Sequence, residues 1–180
     1  ILVPDDVATI QAAIDLAQTG DRVLVAPGTY AERIDFLGKD IVVEATDGAE
    51  VTTIDGGGEP AGAGWVVTFA GGESRAAALR GFTVTGGFGS GGSNGAGPGG
   101  GVLIDGGAPV VADCVVAGNS GILGGGLSVG DGDPLLADLR VVDNSASSGG
   151  GLYVEGGAVE VVRSEFVENL ARNDGGGLCI

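Results

Sequence analysis

The chain has 180 residues, 39 of them glycine, and a formal charge of -16 from 8 basic and 24 acidic side chains. Glycine at about three times its usual ~7% suggests disorder when it carries no period, but a hydrophobic fraction of 43% and a mean hydropathy of +0.35 belong to a chain with a core. The negative charge argues against nucleic-acid and anionic-membrane partners, the apolar runs are too short for a membrane span, and the absence of histidine removes imidazole bases, Ser-His-Asp and Cys-His catalysis and His-ligated metals.

The first predicted element is a short helix over 9–18, with Ile10, Ala13, Ile14 and Ala17 on one face, Thr9 as N-cap and Gly20 as stop. Residues 1–21 read as a cap on the coils that follow. Arg22-Val23-Leu24-Val25, Ile41-Val42-Val43 and Thr52-Thr53-Ile54 read as strands. Gly64-Trp65-Val66-Val67 reads as a glycine followed by a strand, with Trp65 inward in the core, and Phe82-Thr83-Val84 reads as the next strand. The Gly/Ser/Asn run at 86–98 reads as an inserted, projecting loop.

Beyond it the glycines keep time. Gly-Gly-Gly occurs at 99–101, 124–126, 149–151 and 175–177, at spacings of 25, 25 and 26. Each triplet opens an aliphatic–variable–aliphatic strand: Val102-Leu103-Ile104, Leu127-Ser128-Val129, Leu152-Tyr153-Val154 and Leu178-Cys179-Ile180. Acidic, glycine-rich turns follow at Asp105, Asp131, Asp133 and Glu155. A second strand centres on Val116, Val141 and Phe166, with Cys114, Leu139 and Ser164 as inward candidates before it and Asn119, Asn144 and Asn169 after it. Such a unit cannot bury its apolar face alone, but it can when stacked on its neighbours at ~4.8 Å. The prediction is a single all-β domain, a parallel β-helix (solenoid) with about six coils in 22–180, a body ~30 Å long and one capping α-helix.

The opening Thr9-Ile10-Gln11-Ala12-Ala13-Ile14, Gly20-Asp21-Arg22-Val23-Leu24-Val25 and Ala26-Pro27-Gly28-Thr29-Tyr30 resembles the N-terminal cap and first coil of right-handed, pectin-lyase-like β-helix proteins. The GGG-aliphatic strands and Phe166-Val167-Glu168-Asn169 are similar to repeats of chlamydial polymorphic outer-membrane proteins, with Gly for Ala and Val at two of three Phe positions. The resemblance implies a right-handed helix in a secreted or surface-exposed protein, and does not by itself imply an enzyme.

Asn119, Asn144 and Asn169 form a structural ladder if the coils stack in register. Oxygen-only acidic turns suit calcium, with Asp131 and Asp133 the best candidates and Asp55, Asp105 and Glu155 beside them; otherwise no cofactor is expected. The bases (Arg22, Arg33, Lys39, Arg75, Arg80, Arg140, Arg163 and Arg172) look scattered, without the cluster an acidic-polymer lyase would need. Cys114 reads as a small buried hydrophobe and Cys179 as outward, too far apart for a disulfide. Gly175 to Ile180 stops within a repeat, so the chain is expected to continue, or to pair through its last coil with other chains or copies of itself. The expected function is a non-enzymatic extracellular or cell-surface module that is structural, adhesive or assembling. The alternative is a module that binds or cleaves polysaccharide, with surface glycans as partners.

Overall fold

The computed structural model describes residues 1–58, 64–89 and 99–180. The chain is a parallel β-helix. After β1 (Leu2–Val3) and α1 (Ile10–Leu16), coil one holds β2 (Arg22–Val25), β3 (Gly28–Tyr30) and β4 (Ile34–Asp35). Coil two holds β5 (Val42–Ala45), β6 (Thr52–Asp55) and β7 (Trp65–Phe69), and coil three β8 (Ala78–Arg80), β9 (Thr83–Thr85) and β10 (Gly100–Ile104). Coil four holds β11 (Val110–Ala112), β12 (Val115–Ala117) and β13 (Leu127–Val129). Coil five holds β14 (Leu135–Ala137), β15 (Arg140–Val142), β16 (Ser145–Ser148) and β17 (Leu152–Val154), and coil six β18 (Glu160–Val162), β19 (Glu165–Val167), β20 (Leu170–Asp174) and β21 (Leu178–Cys179).

Like strands stack on like. The first strand of every coil joins β1 in a seven-stranded sheet, the second and third strands make two six-stranded sheets, and β16 pairs with β20 in a small fourth. All strand pairings are parallel, and the 25-residue period appears directly as register: Val102 pairs with Leu127, Leu127 with Leu152, and Val116 with Val141. Alternate residues point inward, so Val23, Val43, Leu79, Val111 and Leu136 form one fully buried column, and Val67, Val102, Leu127 and Leu152 another. Phe36 and Phe69 stack at 4.1 Å between ring centroids inside the early coils.

The six coils match the expectation, but three details differ. The helix ends at Leu16, not Gln18, because Ala17 already has extended backbone (ψ 147) and turns its side chain into the core. Trp65 is half-buried and pairs with Gly100, while Val67 pairs with Val102; the strand therefore sits two residues later than Gly64-Trp65-Val66-Val67 suggested, and Trp65 is not a core residue. The strands at 28–30, 34–35, 78–80, 110–112, 135–137, 145–148, 160–162 and 170–174 escaped the sequence reading, since no glycine triplet or repeated asparagine marks them and two to five residues alone are too short for a periodicity to show. The core of the loop placed at 86–98, residues 90–98, lies outside the described residues.

The cap is built from hydrogen bonds between the helix and coil one. Thr9 Oγ1 accepts from Ala12 N (3.1 Å), and the Glu32 carboxylate accepts from Ile10 N and Gln11 N (both 2.9 Å). At the other end Lys39 Nζ donates to the carbonyls of Ile14, Asp15 and Ala17 at 2.8–2.9 Å. The Gln11 amide accepts from Asp35 N (2.7 Å) and donates to Asp35 O (3.2 Å), so one side chain occupies the open edge of β4 as a neighbouring strand would. Lys39→Met leaves those helix carbonyls without their donor and removes a cation from the C-terminal dipole; it is expected to lower unfolding free energy by about 2 kcal/mol in urea titrations.

Candidate functional site

Asn119, Asn144 and Asn169 stand at equivalent positions of coils four, five and six. Asn119 Nδ2 donates to Asn144 Oδ1, and Asn144 Nδ2 to Asn169 Oδ1, both at 3.0 Å. Each Oδ1 also takes a backbone N–H from the coil below: Gly87 N to Asn119 (2.8 Å), Asn119 N to Asn144 (3.0 Å) and Asn144 N to Asn169 (3.1 Å). Each Nδ2 reaches a carbonyl as well, of Val84 (3.1 Å), Val116 (2.9 Å) and Val141 (2.8 Å). Asn119 and Asn144 are buried, and every amide is engaged by the chain itself. The column ties each corner to the next.

Each asparagine follows a residue held in the left-handed region: Gly118 (φ 65), Asp143 (φ 55) and Glu168 (φ 55). The corner between the first and second sheets has a similar column, Gly81 (φ 74), Asp113 (φ 55), Asp138 (φ 55) and Arg163 (φ 48). These non-glycine corners escaped the sequence reading; the available signal was glycine in one coil replaced by Asp, Glu or Arg at the same phase in the next.

The acidic turns do not all share an edge. Asp105 lies level with Gly130 and Glu155 after the third sheet, whereas Asp55 is the last residue of the second-sheet strand β6, at a different corner. Asp131 and Asp133 border a shallow cleft of about 440 Å³ with Glu73, Ser74 and Gly106. Asp133 Oδ1 already accepts from Ala158 N at 2.8 Å, and the Asp131 carbonyl accepts from Gly106 N. Glu73 is fully buried, its carboxylate held by Gly38 N (2.9 Å) and Gly71 N (3.1 Å). Among the described residues no group of three or more His, Cys, Asp or Glu is placed to hold a metal ion.

Four of the arginines form ion pairs, most of them between coils. Arg22 pairs with Glu44, Arg75 with Glu160 (3.8 Å), Arg80 with Asp113 (3.9 Å) and Arg163 with Asp138 (2.6 Å). Arg140 and Arg163 line one shallow cleft of about 390 Å³ with Asp113, Asp138 and Glu165. The bidentate bond from Arg163 holds the Asp138 carboxyl below its usual 3.8. A carboxylate lowered on folding stabilises above its unfolded value and loses that contribution as pH falls through the folded one. The gap in melting temperature between wild type and Arg163→Ala should therefore be small and constant near neutrality and close below about pH 3.

The groove beside the fourth sheet, about 380 Å³, is lined by Ser120, Ser145, Ala146, Ser147, Leu170 and Arg172. Neither Tyr153 nor Trp65 faces it. Cys114 is buried and its thiol is pushed up to about 12 by desolvation, while Cys179 is half-buried; both are free. Folded protein at about pH 8 is expected to take up thiol reagent at Cys179 alone, with Cys114 reacting only after denaturation, as counted by mass spectrometry. Among the described residues no helix is long and apolar enough to cross a membrane.

Fold and ladder together define the class: a parallel β-helix with a stacked asparagine corner and a helical N-terminal cap. No family profile, curated protein or solved structure matches this chain.

Proposed function

We propose that this chain is a non-enzymatic, secreted or cell-surface β-helix that serves as a rigid structural, adhesive or assembly module. The observation that carries the reading is the asparagine column, in which the buried polar side chains of three successive coils are used to join coil to coil. The surface repeats the theme, with Arg163 and Asp138 bonded one coil apart and Arg22 bonded to Glu44 across coils one and two. A solenoid joined in this way resists bending and holds its loops at set heights, which suits a spacer or presenting element. The likeness of the first coil to pectin-lyase-like β-helices, and of the later repeats to chlamydial outer-membrane proteins, supports an extracellular or surface placement.

The test is a screen against acidic and neutral polysaccharides, with and without calcium, that reads both chain cleavage and binding. No depolymerisation is expected. Release of new chain ends by the purified protein would overturn the proposal in favour of a polysaccharide-degrading β-helix.

A further inference from the structure

The glycine triplets stand 25, 25 and 26 residues apart, and the one extra residue has a definite place in the structure. Strand β16 pairs with β20 so that Ser145 lies opposite Leu170, Ala146 opposite Ala171 and Ser148 opposite Asp174. Two steps along β16 therefore match three along β20, and Arg172 and Asn173 share the single position opposite Ser147. This is a β-bulge on β20, a feature that bends a strand locally and re-aims the side chain it carries. Ala146 is buried beneath the sheet, so alternation sets Ser145 and Ser147 on its outer side, and Ser120 continues the row into coil four. Arg172 and these three serines border the groove of about 380 Å³, whose apolar rim is Leu170, Ala146 and Ala171.

The polar groups of this groove are uncommitted. Arg22, Arg75, Arg80 and Arg163 each have a carboxylate partner, whereas Arg172 makes no ion pair and no side-chain hydrogen bond among the described residues, in a chain with 24 acidic side chains. The hydroxyls of Ser120, Ser145 and Ser147 are likewise unbonded among the described residues, while Ser74 Oγ donates to Asp40 (2.7 Å) and Ser164 Oγ to Val162 O (3.0 Å). We propose that the groove binds a small hydroxylated monocarboxylate, with Arg172 holding the carboxylate and the serines bonding the hydroxyls beside it. A guanidinium presents two parallel N–H donors that match one carboxylate. Serine hydroxyls both donate and accept, as the alcohol groups of such a ligand require. Charge separates a carboxylate from a phosphate: at -16 the molecule repels a dianion about twice as strongly as a monoanion, and only one cation lines the groove to offset it. Leu170, 69% exposed, supplies carbon surface for the C–H face of the ligand. The volume lies at the small end of the ~300–1,000 Å³ usual for ligand sites, which suits a hydroxy acid or a single sugar acid rather than a polymer.

Titration of the isotope-labelled chain with gluconate at about 0.15 M salt, followed by amide chemical shifts, tests the proposal. Saturable shifts are expected at Ser120, Ser145 to Ser147 and Leu170 to Arg172, with a dissociation constant of about 1 mM. Glucose, which lacks the carboxylate, and inorganic phosphate should each bind at least about tenfold more weakly. Arg172→Gln should weaken gluconate at least about tenfold with the melting temperature unchanged, since the side chain is exposed. Replacing Ser145 and Ser147 together by alanine should weaken gluconate and leave the weaker binding of acetate as it was, because acetate has no hydroxyl to lose. Lactate serves as the short hydroxy acid: equal affinity for lactate and gluconate assigns the groove to the carboxylate and its neighbouring hydroxyl, and tighter gluconate assigns it to a sugar acid. Absence of saturable shifts up to about 20 mM gluconate overturns the proposal. So does gluconate binding indifferent to Arg172→Gln, and phosphate binding as tight as gluconate rejects the carboxylate. None of these results depends on release of chain ends in the polysaccharide screen, so the two readings fail separately.

Discussion

Replacing Asn144 by alanine is expected to remove about 4 kcal/mol of stability, a large fraction of what a domain of this size possesses. Asn144 is fully buried, and its amide makes four bonds: Oδ1 accepts from Asn119 N and Asn119 Nδ2, and Nδ2 donates to Val116 O and Asn169 Oδ1. Alanine leaves the Asn119 N–H buried without its acceptor, and each such group costs about 1–3 kcal/mol. Asn169, half-buried in the last coil, should lose roughly half as much on the same change. Urea unfolding followed by circular dichroism measures both; equal effects at the two sites would show that the column does not act through burial. Asn144→Asp separates hydrogen bonding from shape. A carboxylate there can accept but cannot donate to Val116 O, so burial raises its pKa above the unfolded ~3.9. A raised carboxyl value means stability present below about pH 4 and lost as pH rises through the folded value, so this variant should be least impaired in acid.

Gly126→Ala is expected to be at least as damaging, at about 4 kcal/mol or more, for a different reason. A Cβ at Gly126 would lie 2.5 Å from Gly151 O, 2.9 Å from Val141 Cγ1 and 3.1 Å from Asn144 Nδ2. All three atoms belong to the coil above, one of them to the ladder, and backbone at that distance cannot move aside without opening the coil. Gly101 and Gly151 show the same three kinds of neighbour in their own coils, so the crowding belongs to the repeat. Gly20 is the matched control, since it has φ +94 with nothing within 4 Å of its Cβ position. Gly20→Ala should then cost about 1 kcal/mol of backbone strain. Thermal melts of the two variants compare the terms, and a loss at Gly126 no larger than at Gly20 would mean that crowding does not set the cost at the triplets.

How far the sequence could be read follows from the length scale of each signal. The triplets at 99–101, 124–126 and 149–151 announce the coil because a repeat has to fit its own copy at each level, so its period must appear in the residue order. The asparagine column was legible for the same reason, and Thr9 as N-cap because the bond it makes is local. Trp65 was misplaced because coil two shows a single glycine, Gly64, before its strand, and only pairing of Trp65 with Gly100 settles the register. The left-handed Asp113, Asp138 and Asp143 were missed because aspartate adopts that conformation only when the coils on either side hold it there.

Residue order alone determined the solenoid, its period, its approximate six coils and the ladder positions, since these are properties of one repeat copied along the chain. Only the tertiary structure decided which turns share an edge, and that Arg140 and Arg163 border one cleft with Asp113 and Asp138. Arg22 and Glu160 are 138 residues apart in the chain, yet they end one column of one sheet. No local pattern encodes that; it comes from summing the turns of every coil between them.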